Sequence, residues 1–229
     1  MRQRTTAVTS VLAGILACAP VMVGETKNVE RLDDATTVIR EVMDTPDKGI
    51  PQDLLDKSEC VVIVPGLKKG AFIIGGKYGK GFLSCRKAGA GWSAPGAIRV
   101  EGGSFGLQIG GSETDVVLLV MNQGGVKKLL SSKFTLGADA SAAAGPVGRT
   151  SSAATDAQMH AEILTYSRAR GLFAGISLEG ATLRPDDDAN KDLYGRQLSN
   201  ADIVQGTIRP PAAATGLLAE LNKYANRRG

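Results

Sequence analysis

The sequence has little of what catalytic and metal sites require. It contains a single histidine, His160, and three cysteines among 229 residues. A zinc site needs several imidazole or thiolate ligands, and no second histidine is present to join His160. No serine or cysteine is placed near it as a nucleophile would be. We therefore expect a protein that is not an enzyme and that needs no metal and no cofactor.

Two partial ligand motifs are also incomplete. Gly70 and Gly75 have the spacing of a phosphate-binding loop, but Gly76 stands where that loop needs a lysine. Residues 186 to 197 begin like a calcium loop, but Lys191 replaces the obligatory glycine. Neither stretch predicts a nucleotide or calcium site.

Aromatic residues are scarce, at 4% of the chain, whereas glycine occurs 29 times. The core must therefore consist of aliphatic side chains, with many glycines in strands or turns. A chain of 229 residues suits one domain with a sizeable core. We predict an α+β fold, in which a compact antiparallel sheet or barrel is flanked by N- and C-terminal helices.

Apolar residues at helical spacing predict the two flanking helices. Residues 28 to 45 form one amphipathic pattern, and Pro46 ends it. Its polar side is rich in acids, which favours packing on the domain over binding to a membrane surface. Residues 212 to 226 form the second pattern, within a C-terminal segment, 209 to 229, that we expect to pack on the domain.

The stretch from residue 92 to 122 combines tightly spaced glycines with apolar strand patterns. Phe105, Leu107 and Ile109 alternate with small or polar residues, which predicts a strand. The residues from 110 to 115 are typical of a turn. Residues 116 to 121 are apolar and rich in β-branched side chains, which predicts a buried strand.

Basic residues concentrate in two glycine-rich segments between short apolar runs. The pattern predicts strands at 60 to 64, 71 to 74 and 82 to 85, joined by turns at 65 to 70 and 75 to 81. The turns contain Lys68, Lys69, Lys77 and Lys80. These lysines are either solvated hairpin tips or a local anion-binding patch.

The N-terminus resembles an export signal. Arg2 and Arg4 precede an apolar run that is too short to span a bilayer as a mature helix. Residues 15 to 18, ILAC, resemble a bacterial lipobox, in which Cys18 would be lipidated; ordinary cleavage near Gly24 is the alternative. We expect a signal peptide over residues 1 to 17 and a lipoprotein of the bacterial cell envelope, anchored in the outer membrane and facing the periplasm or the surface.

The remaining cysteines, Cys60 and Cys85, either pair as a disulfide in an exported protein or stay buried thiols. The net charge of +4 falls after signal removal, because residues 1 to 17 contain two arginines and no acids. A nearly neutral protein has no general electrostatic attraction for nucleic acid, so we expect no nucleic-acid partner.

Several motifs, taken in order, resemble the SYLF-domain family over residues 28 to 206. They are Val64-Pro65, Lys69-Gly70-Ala71-Phe72, Gly76-Lys77-Tyr78-Gly79-Lys80-Gly81, Trp92-Ser93-Ala94-Pro95, residues 106 to 110 with Thr114-Asp115, Gly145-Pro146-Val147-Gly148-Arg149, Tyr166-Ser167, residues 171 to 180, and Asn190 with Tyr194-Gly195. The resemblance implies a SYLF-like domain over residues 28 to 208, a β-rich fold and no catalytic activity. It also implies binding to membrane lipids.

The resemblance and the basic segments together predict an exported, membrane-anchored protein that recognises anionic phospholipid or phosphoinositide headgroups. The expected lipid-binding residues are Lys68, Lys69, Lys77, Lys80, Arg149, Arg168 and Arg170. Some eukaryotic members of the family bind actin, but we expect no actin partner behind an export signal. The alternative function is a non-catalytic envelope scaffold or protein-interaction module.

Overall fold

The computed structural model describes residues 22–45, 49–71, 74–87, 91–105, 110–148, 155–169 and 172–225. Its helices are α1 Met22–Met43, α2 Gln52–Lys57, α3 Gln123–Leu129, α4 Asp156–His160, α5 Asp187–Tyr194, α6 Asn200–Gln205 and α7 Thr215–Tyr224. Its strands are β1 Cys60–Ala71, β2 Ile74–Cys85, β3 Gly96–Phe105, β4 Gly110–Val120, β5 Phe134–Thr135, β6 Ala142–Ala144, β7 Ile163–Ala169, β8 Leu172–Gly175 and β9 Thr182–Pro185. The α+β fold with flanking helices is confirmed.

All of these strands belong to one sheet, in the order β5-β9-β3-β2-β1-β4-β7-β6, with β8 also paired to β7. The four longest strands, β1 to β4, are adjacent and antiparallel wherever they pair. β6 pairs with β7 in parallel. The predicted antiparallel sheet is therefore a mixed sheet with one parallel pairing.

A hydrophobic core lies on each face of the sheet. The first fills the space under α1, α2 and α7 and includes Leu32, Val61 and Leu217. The second contains Leu183 from β9 and Ile163 from β7. Because β9 and β7 lie near opposite ends of the strand order, the sheet must curl around this second core. We call the face under α1 the convex face and the other the concave face.

The predicted basic turns at 65–70 and 75–81 are wrong, because β1 and β2 continue through them. β1 is hydrogen-bonded to β2 on one side and to β4 on the other, and β2 likewise lies between β1 and β3. Pairing on both sides stabilises glycine and lysine in extended backbone, although these residues favour turns when alone. The irregularity at Pro65 and Gly66 is a β-bulge, and Gly66 adopts the positive φ of 57° that such a position favours.

The predicted turn at 110–115 is also wrong, because β4 begins at Gly110 and continues to Val120. The predicted buried strand at 116 to 121 is confirmed over most of its length. β3 ends at Phe105. Residues 106–109, which include Leu107 and Ile109, lie outside the described residues. The elements α4, α6 and β9 are among those that the sequence did not predict.

The terminal helices pack together on the convex face. α1 begins at Met22, six residues before the predicted start, and Leu32 and Ile39 on it are fully buried. α7 is held by Trp92, whose indole N–H donates to the carbonyl of Leu221 over 3.2 Å. Within the described part of the chain, each helix is too short or too polar to cross a bilayer. Residues 1 to 17 and Cys18 lie outside the described residues.

Candidate functional site

The four central strands end together in a region that is rich in glycine. One row of paired residues across β3, β2, β1 and β4 consists of Gly103, Gly76, Gly70 and Gly111. A β-carbon placed at Gly70 or Gly103 would meet no atom within 4 Å. Close packing therefore does not explain these glycines. We call this region, residues 67–71, 74–80, 101–105 and 110–115, the glycine end of the sheet.

The glycine end carries its lysines on both faces of the sheet. Leu67 belongs to the concave core, so Lys69, two residues further along the strand, lies on the concave face and Lys68 on the convex face. Lys77 is paired with Lys69 and shares its face, while Tyr78 is paired with Lys68 on the other. The structure therefore divides the predicted lysine patch into two parts.

Lys69 and Lys77 face each other directly across β1 and β2. Like charges at paired positions repel one another. Burial lowers the pKa of Lys77 below its usual 10.5, and the positive charge of Lys69 lowers it further. This pair is a concentration of positive charge that the fold itself does not neutralise.

Lys80 is engaged within the protein. Its ammonium nitrogen lies 2.7 Å from a carboxylate oxygen of Asp186, whose side chain is only 3% exposed. Asp186 directly precedes α5, so this ion pair connects β2 to that helix. Lys80 therefore contributes less free positive charge to the glycine end than its position in the sequence implies.

Arg168 is engaged in the same way. Its guanidinium donates to one carboxylate oxygen of Asp115 through Nε, at 2.9 Å, and through Nη2, at 2.7 Å. It also contacts the carboxylate of Glu41 on α1. These contacts connect β7, β4 and α1. Arg149 and Arg170, the other predicted arginines, lie outside the described residues.

A cleft of about 950 Å³ separates α1 from the convex face of the glycine end. Lys68 and Tyr78 line it from the sheet, and Tyr78 is 49% exposed. Lys27, Arg31 and Asp34 line it from α1, and Glu113 faces it from β4. Because the cleft carries charges of both signs, it attracts an anion less strongly than the concave face does.

Cys60 and Cys85 occupy paired positions on β1 and β2, and their sulfurs are bonded at 2.02 Å. The bridge lies at the end of these strands opposite the glycine end. It joins two segments that are 25 residues apart in the chain. Cys18, the predicted lipidation site, lies outside the described residues.

His160 lies at the end of α4, where its Nδ1 is 2.8 Å from the carbonyl oxygen of Asp156. It is exposed to solvent. No cluster of three or more histidine, cysteine or acidic residues suited to a metal ion occurs within the described ranges. The expectation of a protein without enzymatic activity stays a prediction.

Sequence reasoning missed the feature that separates the lysines, which is the bulge at Pro65 and Gly66. Val64 lies in the concave core and so does Leu67, three residues later, because the bulge adds one residue to β1. Such an insertion moves every following side chain to the opposite face. A Pro-Gly pair inside a strand pattern is the signal that could have indicated it.

The fold and the candidate site define an α+β domain with a basic, glycine-rich sheet end. A family model described as "Ysc84: Las17-binding protein actin regulator" matches residues 101–224. The match covers more than half of the chain. The protein belongs to this Ysc84/SYLF family, as its motifs predicted.

Similar proteins occur in fungi and vertebrates. LAS seventeen-binding protein 3 of Saccharomyces cerevisiae is 36% identical over 182 residues, which are 78% of this chain and 39% of the yeast protein. An SH3 domain-containing protein of Schizosaccharomyces pombe is 37% identical over 176 residues, which are 76% of this chain and 41% of the S. pombe protein. SH3 domain-containing YSC84-like protein 1 of Rattus norvegicus is 32% identical over 183 residues, 80% and 54% of the two chains. The chain thus spans about two fifths to one half of these relatives.

Proposed function

We propose that this protein binds anionic phospholipid membranes through the glycine end of its sheet, without catalysis. The observation that carries the proposal is the position of Lys68, Lys69 and Lys77. They lie within two adjacent rows of one sheet end, and within the described part of the chain none of them forms an ion pair. Lysines that lie close together outside ion pairs are what a peripheral membrane protein needs to bind anionic headgroups.

The two faces determine how the domain would approach a bilayer. Lys68 is on the convex face, and Lys69 and Lys77 are on the concave face. A flat membrane can contact all three only if the strands point toward it end-on. The row of glycines that follows these lysines along the strands adds no side chains of its own beside them.

The expected strength of this contact is modest. Each basic residue near an anionic surface contributes about 1 kcal/mol, so three contribute about 3 kcal/mol, or roughly 100-fold in affinity. We propose that a second attachment adds to it, namely two acyl chains on Cys18, because a single chain holds a protein only reversibly. The protein would then be located in the bacterial cell envelope, with its acyl chains in the outer membrane. Mass spectrometry of the mature N-terminus tests this, since a free terminus near Gly24 would contradict it.

Vesicle sedimentation tests the membrane contact itself. The full chain is produced with Cys18→Ser, so that no acyl chain contributes, and binding is measured with neutral and anionic vesicles. Replacing Lys68, Lys69 and Lys77 by glutamine should weaken binding to anionic vesicles roughly 100-fold at low salt and less at physiological salt. The matched control replaces three exposed lysines elsewhere, Lys127, Lys133 and Lys191. An equal loss in both variants would contradict a specific role for the glycine end.

Protein binding is the second candidate function. It is favoured by the family description as an actin regulator and by the exposed Tyr78 in the cleft beside α1. The description makes the expectation of no actin partner less secure. Co-sedimentation of the purified chain with actin filaments tests it, with Tyr78→Ala as the variant. A scaffold of the envelope would instead bind other envelope proteins and neither actin nor vesicles.

A further inference from the structure

We propose that Lys69 and Lys77 together bind one dianionic phosphate group, either free phosphate or a phosphomonoester on a lipid headgroup. Only the second source rests on the proposed membrane function. The site itself follows from how the concave face of the glycine end is built. This phosphate site is distinct from the general positive charge of the glycine end, to which Lys68 also contributes.

The row across the sheet supplies the donors. Gly102, Lys77, Lys69 and Ser112 are paired side by side across β3, β2, β1 and β4, so they share the concave face. Directly paired residues have β-carbons about 5 Å apart, which allows two ammonium groups to contact oxygens of one phosphate. The Ser112 hydroxyl is a third donor beside Lys69. Gly102 leaves the opposite side of Lys77 free of a side chain.

The surroundings favour a bound anion over a solvated pair. Both lysines are partly buried, and the next residues inward are the fully buried Leu67 and the buried Gly79. Ala181 borders the site beyond Lys77, because a β-carbon on Gly102 would lie 3.2 Å from the Ala181 Cα. Partial burial strengthens charge interactions. Burial and Lys69 also lower the pKa of Lys77, as expected for a cation that lacks a counter-ion.

The charge of the pair selects among phosphates. A phosphomonoester carries about −1.5 to −2 charges at pH 7, close to what two lysines neutralise. A phosphodiester carries one negative charge and leaves one lysine unmatched. We therefore expect the site to prefer monoesters. Lys68 takes no part in this preference, because it lies on the other face beside Tyr78 and opposite Glu113.

Lys68 and Lys77 lie on neighbouring strands and on opposite faces of the sheet, and they provide a matched control. Lys77→Gln and Lys68→Gln remove the same charge from the same sheet end, and only the first changes the pair. The full chain with Cys18→Ser is heated with inorganic phosphate or with chloride at equal ionic strength. Phosphate should raise the Tm of the unsubstituted chain and of the Lys68→Gln variant by more than that of Lys77→Gln, in which only the general stabilising effect of phosphate remains. Lys77→Arg should retain the shift.

Vesicles supply the lipid arm, with phosphatidic acid as the monoester and phosphatidylglycerol as the diester at matched surface charge. Phosphatidic acid should bind about tenfold more tightly, the worth of one further charged hydrogen bond. Lys77→Gln should abolish this preference, whereas Lys68→Gln should weaken both lipids equally.

Each outcome decides one of the two proposals. A Tm shift that depends on Lys77, without any vesicle binding, would support the site with free phosphate as its ligand and contradict the membrane function. Vesicle binding without a monoester preference or a Tm shift that depends on Lys77 would overturn the site and leave the membrane function standing. Identical behaviour of Lys77→Gln and Lys68→Gln would also overturn it.

Discussion

Gly145 lies directly against the ring of Tyr166, so that a β-carbon at position 145 would be 2.0 Å from the Tyr166 Cζ. Tyr166 is fully buried and its ring stacks on that of Phe173 at 5.4 Å. Gly175 approaches the same point, because its β-carbon would lie 2.0 Å from the Gly145 carbonyl oxygen. Three of the family motifs therefore converge on one packing contact.

Replacing Gly145 should thus be costly. Gly145→Ala forces the Tyr166 ring or the backbone to move, and overpacking of this kind typically costs about 1–3 kcal/mol of the free energy of unfolding. Urea denaturation measures it. The control is Gly103→Ala, where the added methyl meets no atom within 4 Å and stability should change by less than about 0.5 kcal/mol. Equal effects at the two glycines would contradict the packing explanation.

The ion pair of Lys80 and Asp186 should respond unequally to loss of either partner. Lys80→Gln leaves the carboxylate of Asp186 buried and unpaired, which should cost about 3 kcal/mol. Asp186→Asn leaves Lys80, whose side chain is 33% exposed and can reach water, so the cost should be nearer 1 kcal/mol. Chemical denaturation of both variants and of the double variant compares them. Additive effects would contradict coupling between the two residues.

The repulsion between Lys69 and Lys77 predicts a stability change at alkaline pH. The pKa of Lys77 is lowered in the folded protein from its usual 10.5, chiefly by burial and then by Lys69. In the pH range just below 10.5 the unfolded chain therefore binds more protons at Lys77, and this residue alone makes the free energy of unfolding rise with pH. Burial raises the pKa of Tyr166 and Tyr194, which acts in the opposite direction in the same range. Lys77→Gln should lose the contribution of Lys77, so its free energy of unfolding should fall more steeply with pH than that of the unsubstituted chain. A pH series of urea denaturations, with Lys68→Gln as the control, measures the difference; identical pH profiles of Lys77→Gln and the unsubstituted chain would contradict it.

Removing the bond between Cys60 and Cys85 should destabilise the domain. The two residues are 25 positions apart, and closing a loop of this size restricts the unfolded chain by about 3–4 kcal/mol. Thermal unfolding of the Cys60→Ala and Cys85→Ala double variant measures the loss, and dithiothreitol should lower the Tm of the unsubstituted chain alone. An unchanged Tm in reductant would contradict this expectation.

Much of the fold could be predicted because its signals are local. The apolar spacing of α1 and the β-branched run of β4 identify those elements directly. The central strands were divided into short pieces because glycine and lysine at 65–70 and 75–81 have turn propensity, whereas pairing on both sides keeps them extended. That pairing joins β1 to β4, some 50 residues later in the chain. A local sequence pattern cannot reveal a pairing between segments so far apart in the chain.

The candidate site was predicted by residue type and not by arrangement. Lys68, Lys69, Lys77 and Lys80 do lie close together at one end of the sheet. Their different environments depend on tertiary partners, since Asp186 lies more than 100 residues beyond Lys80 and no periodicity connects the two. The position of each lysine on its face depends on one inserted residue at the Gly66 bulge.

The two outermost strands of the sheet bear on a property unrelated to binding. β5 and β6 end the strand order and contain only two and three residues. A strand this short exposes few unpaired backbone N–H and C=O groups, so it is a poor template for a strand from another molecule. Edge-to-edge pairing at these two strands is thereby disfavoured, so the unpaired edge lies instead at the glycine end, where residues 102–105 of β3 and 110–114 of β4 are paired on one side only within the described part of the chain.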